Sequence, residues 1–397
     1  MRISTLSSFF QGVRQMQDLQ ASLAETQEQV ATGRRILRPS DDPIAAARSV
    51  GFKETLSRLE QFDRNGDAAR SRLTFEEAAL TTVNNALQRV RELALRANNA
   101  TETKDSRAQI AVELREQIAD LVQIANQKDG NGRYLFGGTL DGTAPVSPSA
   151  GGVVYNGDQG QRLVQIGPSR YVADGDSGAD VFFNIRNGNG VFRTTAAAAN
   201  VGTGVLEGGS VVDPTVYDSG EYTVRFIDPA NYEVLDSTAT VIATGPFQSD
   251  QNISFQGISF TINGQPEAGD EFLVEPSRYQ SVFETIGNVV ATLDTAVSDD
   301  ITQAVLSNEI NTSIQEIDLA IANVSDVRTQ VGTRLTAIEG QADSNGAAAL
   351  LAQQTISELE DLDYAEALSR LTLQSSVLEA AQQSFVITQR LSLFQFL

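Results

Sequence analysis

Three short segments carry residues whose types and spacing could support chemistry. Asp41 and Asp42 form an adjacent carboxylate pair, and residues 129–132 read Asp-Gly-Asn-Gly, the composition of a calcium-binding loop. Arg133 stands where that loop would need another oxygen ligand, so we interpret the segment as a tight turn. Gly202-Thr203-Gly204 has part of a dinucleotide-binding motif, but the third glycine is misplaced and no βαβ pattern surrounds it.

The pair Asp41 and Asp42 is explained better by helix capping than by a catalytic dyad. Pro39 forces an extended step, Asp42 stands where an N-cap belongs, and Pro43 takes the first helical position. The spacing therefore predicts a hinge between two helices. We assign Pro39, Asp41, Asp42 and Pro43 to this hinge and its cap.

The residues on which most enzymes depend are missing from the sequence. Its 397 residues include no His and no Cys, which excludes Ser-His-Asp, Cys-His and zinc-thiolate chemistry. A glycosidase-type carboxylate pair stays possible among Asp228, Glu233, Asp236 and Glu271, since it needs only two acids about 5–9.5 Å apart in a cleft. A solvated acidic surface explains them more simply, so we predict no enzymatic activity, no cofactor and no metal site.

The net charge limits the classes of partner. A formal charge of −22 repels nucleic-acid phosphates and anionic lipids, so we predict no nucleic-acid partner and no membrane partner. No run of about 18 apolar residues is present to span a bilayer. The first residues also lack the continuous apolar segment of a Sec signal peptide, so export would require a different apparatus.

Proline and glycine divide the chain into helical ends and a turn-rich middle. Eight of the 10 prolines lie between Pro145 and Pro276, and 21 of the 31 glycines lie between Gly137 and Gly269. Because proline breaks helices and glycine weakens them, the flanking segments are predicted to be helical. The middle alternates apolar and polar residues, as at residues 258–262, which is typical of short antiparallel strands.

Apolar residues recur at heptad spacing in both terminal segments, as they do in coiled-coil helices. A narrow apolar stripe needs a partner to bury it, so we predict an assembly interface whose helices become ordered on assembly. The strongest repeat, residues 310–338, is predicted to end at an interruption, Ser344-Asn345-Gly346. The predicted interface residues are Leu6, Phe9, Val13, Met16, Leu23 and Val30 near the N-terminus, and Tyr364, Leu368, Leu371, Leu378, Phe385, Leu391 and Phe394 near the C-terminus.

Together these patterns predict an α+β fold, an elongated rod of long coiled-coil helices formed by both termini, with an inserted antiparallel β-domain. Residues 1–40 and 347–397 would form the terminal coiled coil. Residues 41–140 and 281–346 would form a helical rod domain, and residues 141–280 a β-rich outer domain. Head-to-tail contacts between such rods produce rings or helical tubes, so we predict a self-assembling structural protein.

Motifs at both ends of the chain resemble a known family. Thr32-Gly33-Arg34-Arg35 leading to residues 39–43, the segment 129–138 and the ending Leu391-Ser392-Leu393-Phe394-Gln395 resemble flagellin-like axial proteins of the bacterial flagellum. Among these, they are most similar to the hook-associated proteins of the hook–filament junction. Met1-Arg2-Ile3-Ser4-Thr5 fits the same family, and residues 85–94 resemble flagellin itself. The resemblance covers about residues 1–140 and 282–397 in the same order.

This resemblance implies a secreted protein that leaves the cell through the flagellar type III export apparatus and resides in the extracellular flagellum. It implies a ring of identical subunits between the first hook-associated protein and the flagellin filament. It further implies that a cytoplasmic export chaperone holds the C-terminal helix. Two alternatives stay open: a flagellin subunit of the filament, and a secreted adhesin that binds surfaces through the β-domain.

Overall fold

The chain folds as two compact units in a computed structural model that describes residues 5–149, 151–295 and 300–394. Residues 1–64 and 341–397 belong to the first, which we call the terminal unit. Residues 65–340 form the second, the central unit. The three-part division with a separate β-domain stays a prediction.

Long helices make up most of the described chain. The break between α2 and α3 coincides with Asn98-Asn99-Ala100-Thr101, and Thr103 caps α3 by accepting a hydrogen bond from the Ser106 N–H at 3.2 Å. The helices are α1 (Thr5–Thr32), α2 (Pro43–Ala97), α3 (Lys104–Ala125), α4 (Val282–Thr295), α5 (Asp300–Glu360) and α6 (Tyr364–Phe394).

Helix α5 differs from the sequence-based expectation at Ser344-Asn345-Gly346, where an interruption is predicted but the helix continues to Glu360. Asn345 is 2% exposed, and its Nδ2 donates to Asp63 Oδ1 at 3.0 Å. Its Oδ1 accepts a hydrogen bond from Gln341 at 2.9 Å. These bonds occupy an amide that would otherwise compete for the helix backbone, so tertiary contacts override the weak helix propensity.

The strands all lie in the central unit and pair antiparallel, which confirms the predicted α+β fold with an antiparallel β region. One sheet has the order β10-β9-β8-β13-β6 and another the order β11-β12-β7, while β1–β2, β3–β4 and β5–β14 form two-stranded pairs. The strands are β1 (Val146–Ser149), β2 (Gly152–Tyr155), β3 (Leu163–Gln165), β4 (Tyr171–Ala173), β5 (Ile185–Arg186), β6 (Phe192–Ala196), β7 (Val205–Val211), β8 (Tyr222–Asp228), β9 (Asn231–Asp236), β10 (Val241–Pro246), β11 (Asn252–Phe255), β12 (Ile258–Asn263), β13 (Glu271–Pro276) and β14 (Tyr279–Gln280).

The central unit has one helical and one β core. The heptad residues Ile310, Ile317 and Val331 of α5 are fully buried in the helical core, as their spacing predicts. The β core is filled by side chains that alternate along the strands, among them Phe260 and Phe272. Residues of the short strands also join the helical core, among them Val146 and Val172, so the period of the apolar pattern does not alone decide which core a residue joins.

Polar side chains of α5 bind the strands that lie against it. Asn308 Oδ1 accepts from the Leu206 N–H at 2.6 Å, and its Nδ2 donates to the Gly204 carbonyl at 2.9 Å. Because β7 is an edge strand of its sheet, these bonds occupy backbone groups that would otherwise be unpaired. Farther along α5, Glu316 accepts from Arg193 Nε at 3.0 Å.

Candidate assembly surface of the terminal unit

Helices α1 and α6 pack side by side in antiparallel directions. Positions that rise along α1 meet positions that fall along α6: Gly12 lies against Phe385, Ser22 against Gln374, and Gly33 against Tyr364. Gln374 Nε2 donates to Ser22 Oγ at 2.9 Å, which adds a polar contact between the two helices. Both termini of the chain therefore contribute to one helix pair, and we call the contact line between them the α1–α6 seam.

A glycine permits the closest approach in this seam. A Cβ added at Gly12 would stand 3.1 Å from the ring of Phe385, closer than ordinary van der Waals contact. Phe9 lies one turn earlier, and its ring centroid is 5.4 Å from that of Phe385. Aromatic rings at this separation attract each other, so the contact fixes the register of the two helices.

The structure brings part of the predicted interface into the seam and leaves part on the surface. Leu368 is 50% exposed, and Phe9 and Tyr364 remain 42% and 52% exposed although each contacts the seam. The side chains of Leu6, Leu391 and Phe394 lie outside the described residues. The half-buried members are Val13, Met16, Leu23, Val30, Leu371, Leu378 and Phe385.

Helix α6 has a second apolar side, formed by residues outside the heptad positions. Leu373, Val377 and Ile387 are 65%, 43% and 58% exposed. Spacings of four and fourteen residues return to the same side of a helix, so these three residues form one surface, which we call the outer face of α6. Leu373 and Ile387 are absent from the interface predicted from the sequence. The detectable signal was the presence of large apolar residues outside the heptad positions.

The breaks that precede α2 and α6 are bound to each other. Arg34 and Asp361 form an antiparallel β-bridge. The Arg35 N–H donates to the Glu360 carbonyl at 2.7 Å, and the Leu362 N–H donates to the Gly33 carbonyl at 3.0 Å. We call this pairing of residues 33–35 with residues 360–362 the joint. Two chain segments that are far apart in sequence therefore change direction at one place.

The predicted hinge residues act as caps beside the joint. Asp42 Oδ1 accepts from the Ala45 N–H at 3.0 Å, and Pro43 is the first residue of α2. Asp41 Oδ2 accepts from the N–H groups of Leu37 and Arg38 at 3.1 and 2.7 Å, closing the turn that contains Pro39. Backbone hydrogen bonds lower the pKa of both carboxyls, so each is ionised at neutral pH and serves as an acceptor.

An ion pair joins α2 to the end of α5 next to the joint. Glu360 is bound by Lys53 and by the hydroxyl of Ser49. The hydrogen bond from Lys53 is the main reason that the pKa of Glu360 lies below its ordinary value. The carboxylate is thus charged across the neutral range and holds the two helices together.

The other candidate sites serve structure. Asp129 Oδ1 accepts from the N–H groups of Asn131 and Arg133 at 2.8 and 3.0 Å, and Arg72 binds Oδ2 at 2.9 Å. These bonds occupy the oxygens that a calcium ion would need. Among the residues that the structure describes, no cluster of His, Cys, Asp or Glu could hold a metal ion. None of the helices in those residues is long and apolar enough to cross a membrane.

Comparison with known proteins finds relatives over the whole chain. Residues 3–141 match the bacterial flagellin N-terminal helical region, and residues 314–397 match the C-terminal helical region. Flagellar hook-associated protein 3 of Salmonella typhimurium is 27% identical over 396 residues, which cover 100% of this chain and 99% of that protein. A flagellin of Salmonella budapest is 23% identical over 78% of this chain and 60% of its own length.

Solved structures give the same result. The crystal structure of Xanthomonas campestris FlgL is 34% identical with a TM-score of 0.73, covering 77% of this chain and 99% of that one. The flagellar junction protein FlgL from Legionella pneumophila is 29% identical with a TM-score of 0.73, covering 79% of this chain and 100% of that one. At this sequence identity and coverage, the similarity indicates common ancestry as well as a shared fold.

Proposed function

Because the chain belongs to the flagellar hook-associated protein 3 (FlgL) family, a family of structural flagellar proteins, we propose that it forms the junction between flagellar hook and filament. The observation that carries this proposal is the full-length similarity to hook-associated protein 3, whereas the flagellin match covers only part of flagellin. Both termini lie within the matched region. They form the helix pair that would make the contacts between subunits.

In this proposal the outer face of α6 contacts neighbouring copies of the same chain. Leu373, Val377 and Ile387 are large apolar side chains that face solvent in a single copy. A continuous exposed apolar surface usually marks an interaction site, and burial of such side chains yields about 1.5–3 kcal/mol each. Contacts that repeat from copy to copy by one rotation close into a ring.

The partners above and below the ring follow from its position. We propose that the first hook-associated protein binds on the hook side and flagellin on the filament side. The protein would reach this extracellular site through the flagellar type III apparatus. A cytoplasmic chaperone would cover α6 before export, because a helix with two apolar sides would otherwise aggregate in the cytoplasm.

Deletion of the gene tests the proposal directly. We expect cells with intact hooks, no filaments and flagellin released into the medium. Complementation with the full-length gene should restore filaments, and complementation with a chain lacking residues 350–397 should not. Filaments of normal length on cells that lack the gene would refute the junction function.

The alternative that the chain is itself a filament subunit is supported by the matches to the two flagellin helical regions. Purified protein distinguishes the two possibilities. A junction subunit should add to hooks and then stop. Long filaments that grow from seeds made of this protein alone would favour the filament function.

A further inference from the structure

A carboxyl group lies in the interior of the central unit. Glu76 of α2 is 1% exposed, and its Oε1 accepts from the Asp176 N–H at 2.9 Å. No hydrogen-bond partner from the described residues reaches its Oε2. A charged carboxylate left in this position would be costly, because burial removes its hydration and only one oxygen is bound.

Two arginines beside Glu76 each pair with another carboxylate, although Arg72 Nε, like Glu76 Oε2, is buried without a hydrogen-bond partner among the described residues. Arg72, one turn earlier on α2, donates from Nη1 to Asp129 at 2.9 Å, with both side chains below one-tenth exposed. Arg334 of α5 holds Asp176 through two bonds of 2.9 Å. Because these cations have their own carboxylates, Glu76 has no counter-ion reserved for it.

The same groups hold two loops against the helices. Arg72 Nη2 donates to the carbonyls of Tyr134 and Leu135 at 2.9 and 3.2 Å, so the 127–141 loop wraps around its guanidinium. Asp176 ties the 174–177 segment to α2 through Glu76 and to α5 through Arg334. The 127–141 loop contains the Asp129–Gly138 motif, so the motif's role here is to enclose a buried arginine.

The packing between these loops and α2 is close on one side and open on the other. A Cβ added at Gly175 would stand 3.3 Å from Arg72 Nε and 3.7 Å from Glu76 Oε2. Beside it is a cavity of about 210 Å³ lined by Arg72, Leu135, Gly175 and Asp176, among others. Movement of the 174–177 segment away from α2 would open this cavity toward Glu76.

The protonation of Glu76 is therefore coupled to the closed position of these loops. Burial, and next to it the negative charge of Asp176, raise the pKa of Glu76 to about 8. When the loops open, the pKa returns toward its ordinary value of 4.5. The closed state thus binds the proton more tightly, and its advantage is complete below pH 4.5 and lost as the pH rises toward 8.

We propose that Glu76 is a proton-controlled clamp: neutral Glu76 holds the 127–141 and 174–177 segments against α2 and α5, and its ionisation loosens them. The response is confined to the interval between the two pKa values. Asp129 does not interfere there, because its pKa is lowered and it remains charged throughout.

Hydrogen exchange on the full-length protein tests the clamp without any substitution. Amide exchange in residues 127–141 and 174–177 is measured from pH 5 to 8 and divided by the intrinsic rate at each pH. We expect the opening equilibrium constant to rise with pH by up to about tenfold per unit. An opening constant that does not change over this interval would overturn the proposal.

Two variants assign the effect to Glu76. Glu76→Gln keeps the acceptor for the Asp176 N–H but cannot ionise, so its opening constant should not depend on pH between 5 and 8. Glu77→Gln is the matched control, because Glu77 pairs with Arg328 and is one-third exposed, and it should keep the wild-type slope. Persistence of that slope in Glu76→Gln would show that another group is responsible, and the proposal would fail.

Discussion

Phe385 of α6 lies so close to Gly12 of α1 that a Cβ at residue 12 would stand 3.1 Å from its ring. Among the twenty side chains, only that of glycine leaves this space empty. The contact sets the register of the α1–α6 seam near the start of α1, where Phe9 also contacts the ring. A small residue in one terminal helix and a large one in the other therefore specify a single pairing.

Replacing Gly12 by leucine should disrupt this pairing. The new side chain must displace Phe385, and overpacking of this kind costs about 1–3 kcal/mol. We expect a lower melting temperature of the helical signal in circular dichroism. Gly51→Leu is the control, because residue 51 lies in a helix of the same unit with no atom within 4 Å of its Cβ position. Equal destabilisation by the two substitutions would contradict the seam.

Aspartate substitutions on the two sides of α6 should separate pairing within a chain from assembly between chains. Leu378 is half-buried in the seam, and Leu373 is 65% exposed on the outer face. Leu378→Asp should unfold the helix pair in the isolated protein. Leu373→Asp should leave its circular dichroism unchanged but prevent recovery of filaments in cells that lack the gene.

The second variant is the decisive one for assembly. Normal filaments in cells that carry only Leu373→Asp would show that the outer face of α6 is not an assembly contact. Immunoblots of the culture medium, which detect the exported variant, distinguish failed assembly from failed export.

The cap of α2 should weaken in acid. The Ala45 N–H holds the pKa of Asp42 below its ordinary value of 3.8. This stabilisation is present above pH 3.8 and is lost as the pH falls through the lowered pKa. Amide exchange at Ala45, divided by the intrinsic rate at each pH, should therefore show weaker protection in acid. Asp42→Ala should show fast exchange at all pH values, whereas Asp42→Asn, which can still cap, should show slow exchange without the acid dependence.

Asn308→Ala should loosen β7. Its removal leaves the Leu206 N–H and the Gly204 carbonyl without their partner at a position where Asn308 is only 4% exposed. Two unpaired backbone groups cost about 2–6 kcal/mol in total. Asn323→Ala serves as control, since Asn323 donates to the Asp180 carbonyl from a half-exposed position on the same helix. Urea denaturation of the two variants should differ clearly, and equal midpoints would contradict the inference.

The heptad pattern predicted one apolar side of α6. Leu371, Leu378 and Phe385 follow the repeat and are half-buried, and Phe385 contacts α1. The outer face of α6 was not predicted, because Leu373 and Ile387 face solvent and a periodic pattern reports only the side that is buried within one chain. Residues that would be buried only against another molecule need not follow the apolar period of their own chain.

Long-range polar contacts were also beyond the sequence. The tight turn at Asp129 could be predicted from its glycines, but its ion pair with Arg72, 57 residues earlier, could not. The same limit explains Ser344-Asn345-Gly346, where a contact with Asp63 keeps α5 helical. Local composition sets whether a segment favours a helix or a turn. Contacts with residues distant in sequence decide whether it adopts that conformation.

The bridge between Arg34 and Asp361 has a mechanical consequence. A chain break that stands alone bends in any direction, whereas two breaks fastened side by side resist twisting and share a single bending axis. Tilting of α1 therefore requires α6 to tilt with it, because the hydrogen bonds at Arg35 and Leu362 transmit the movement from one break to the other. The α1–α6 pair would therefore move as one body, and a force applied to either helix would act on both connections at the joint.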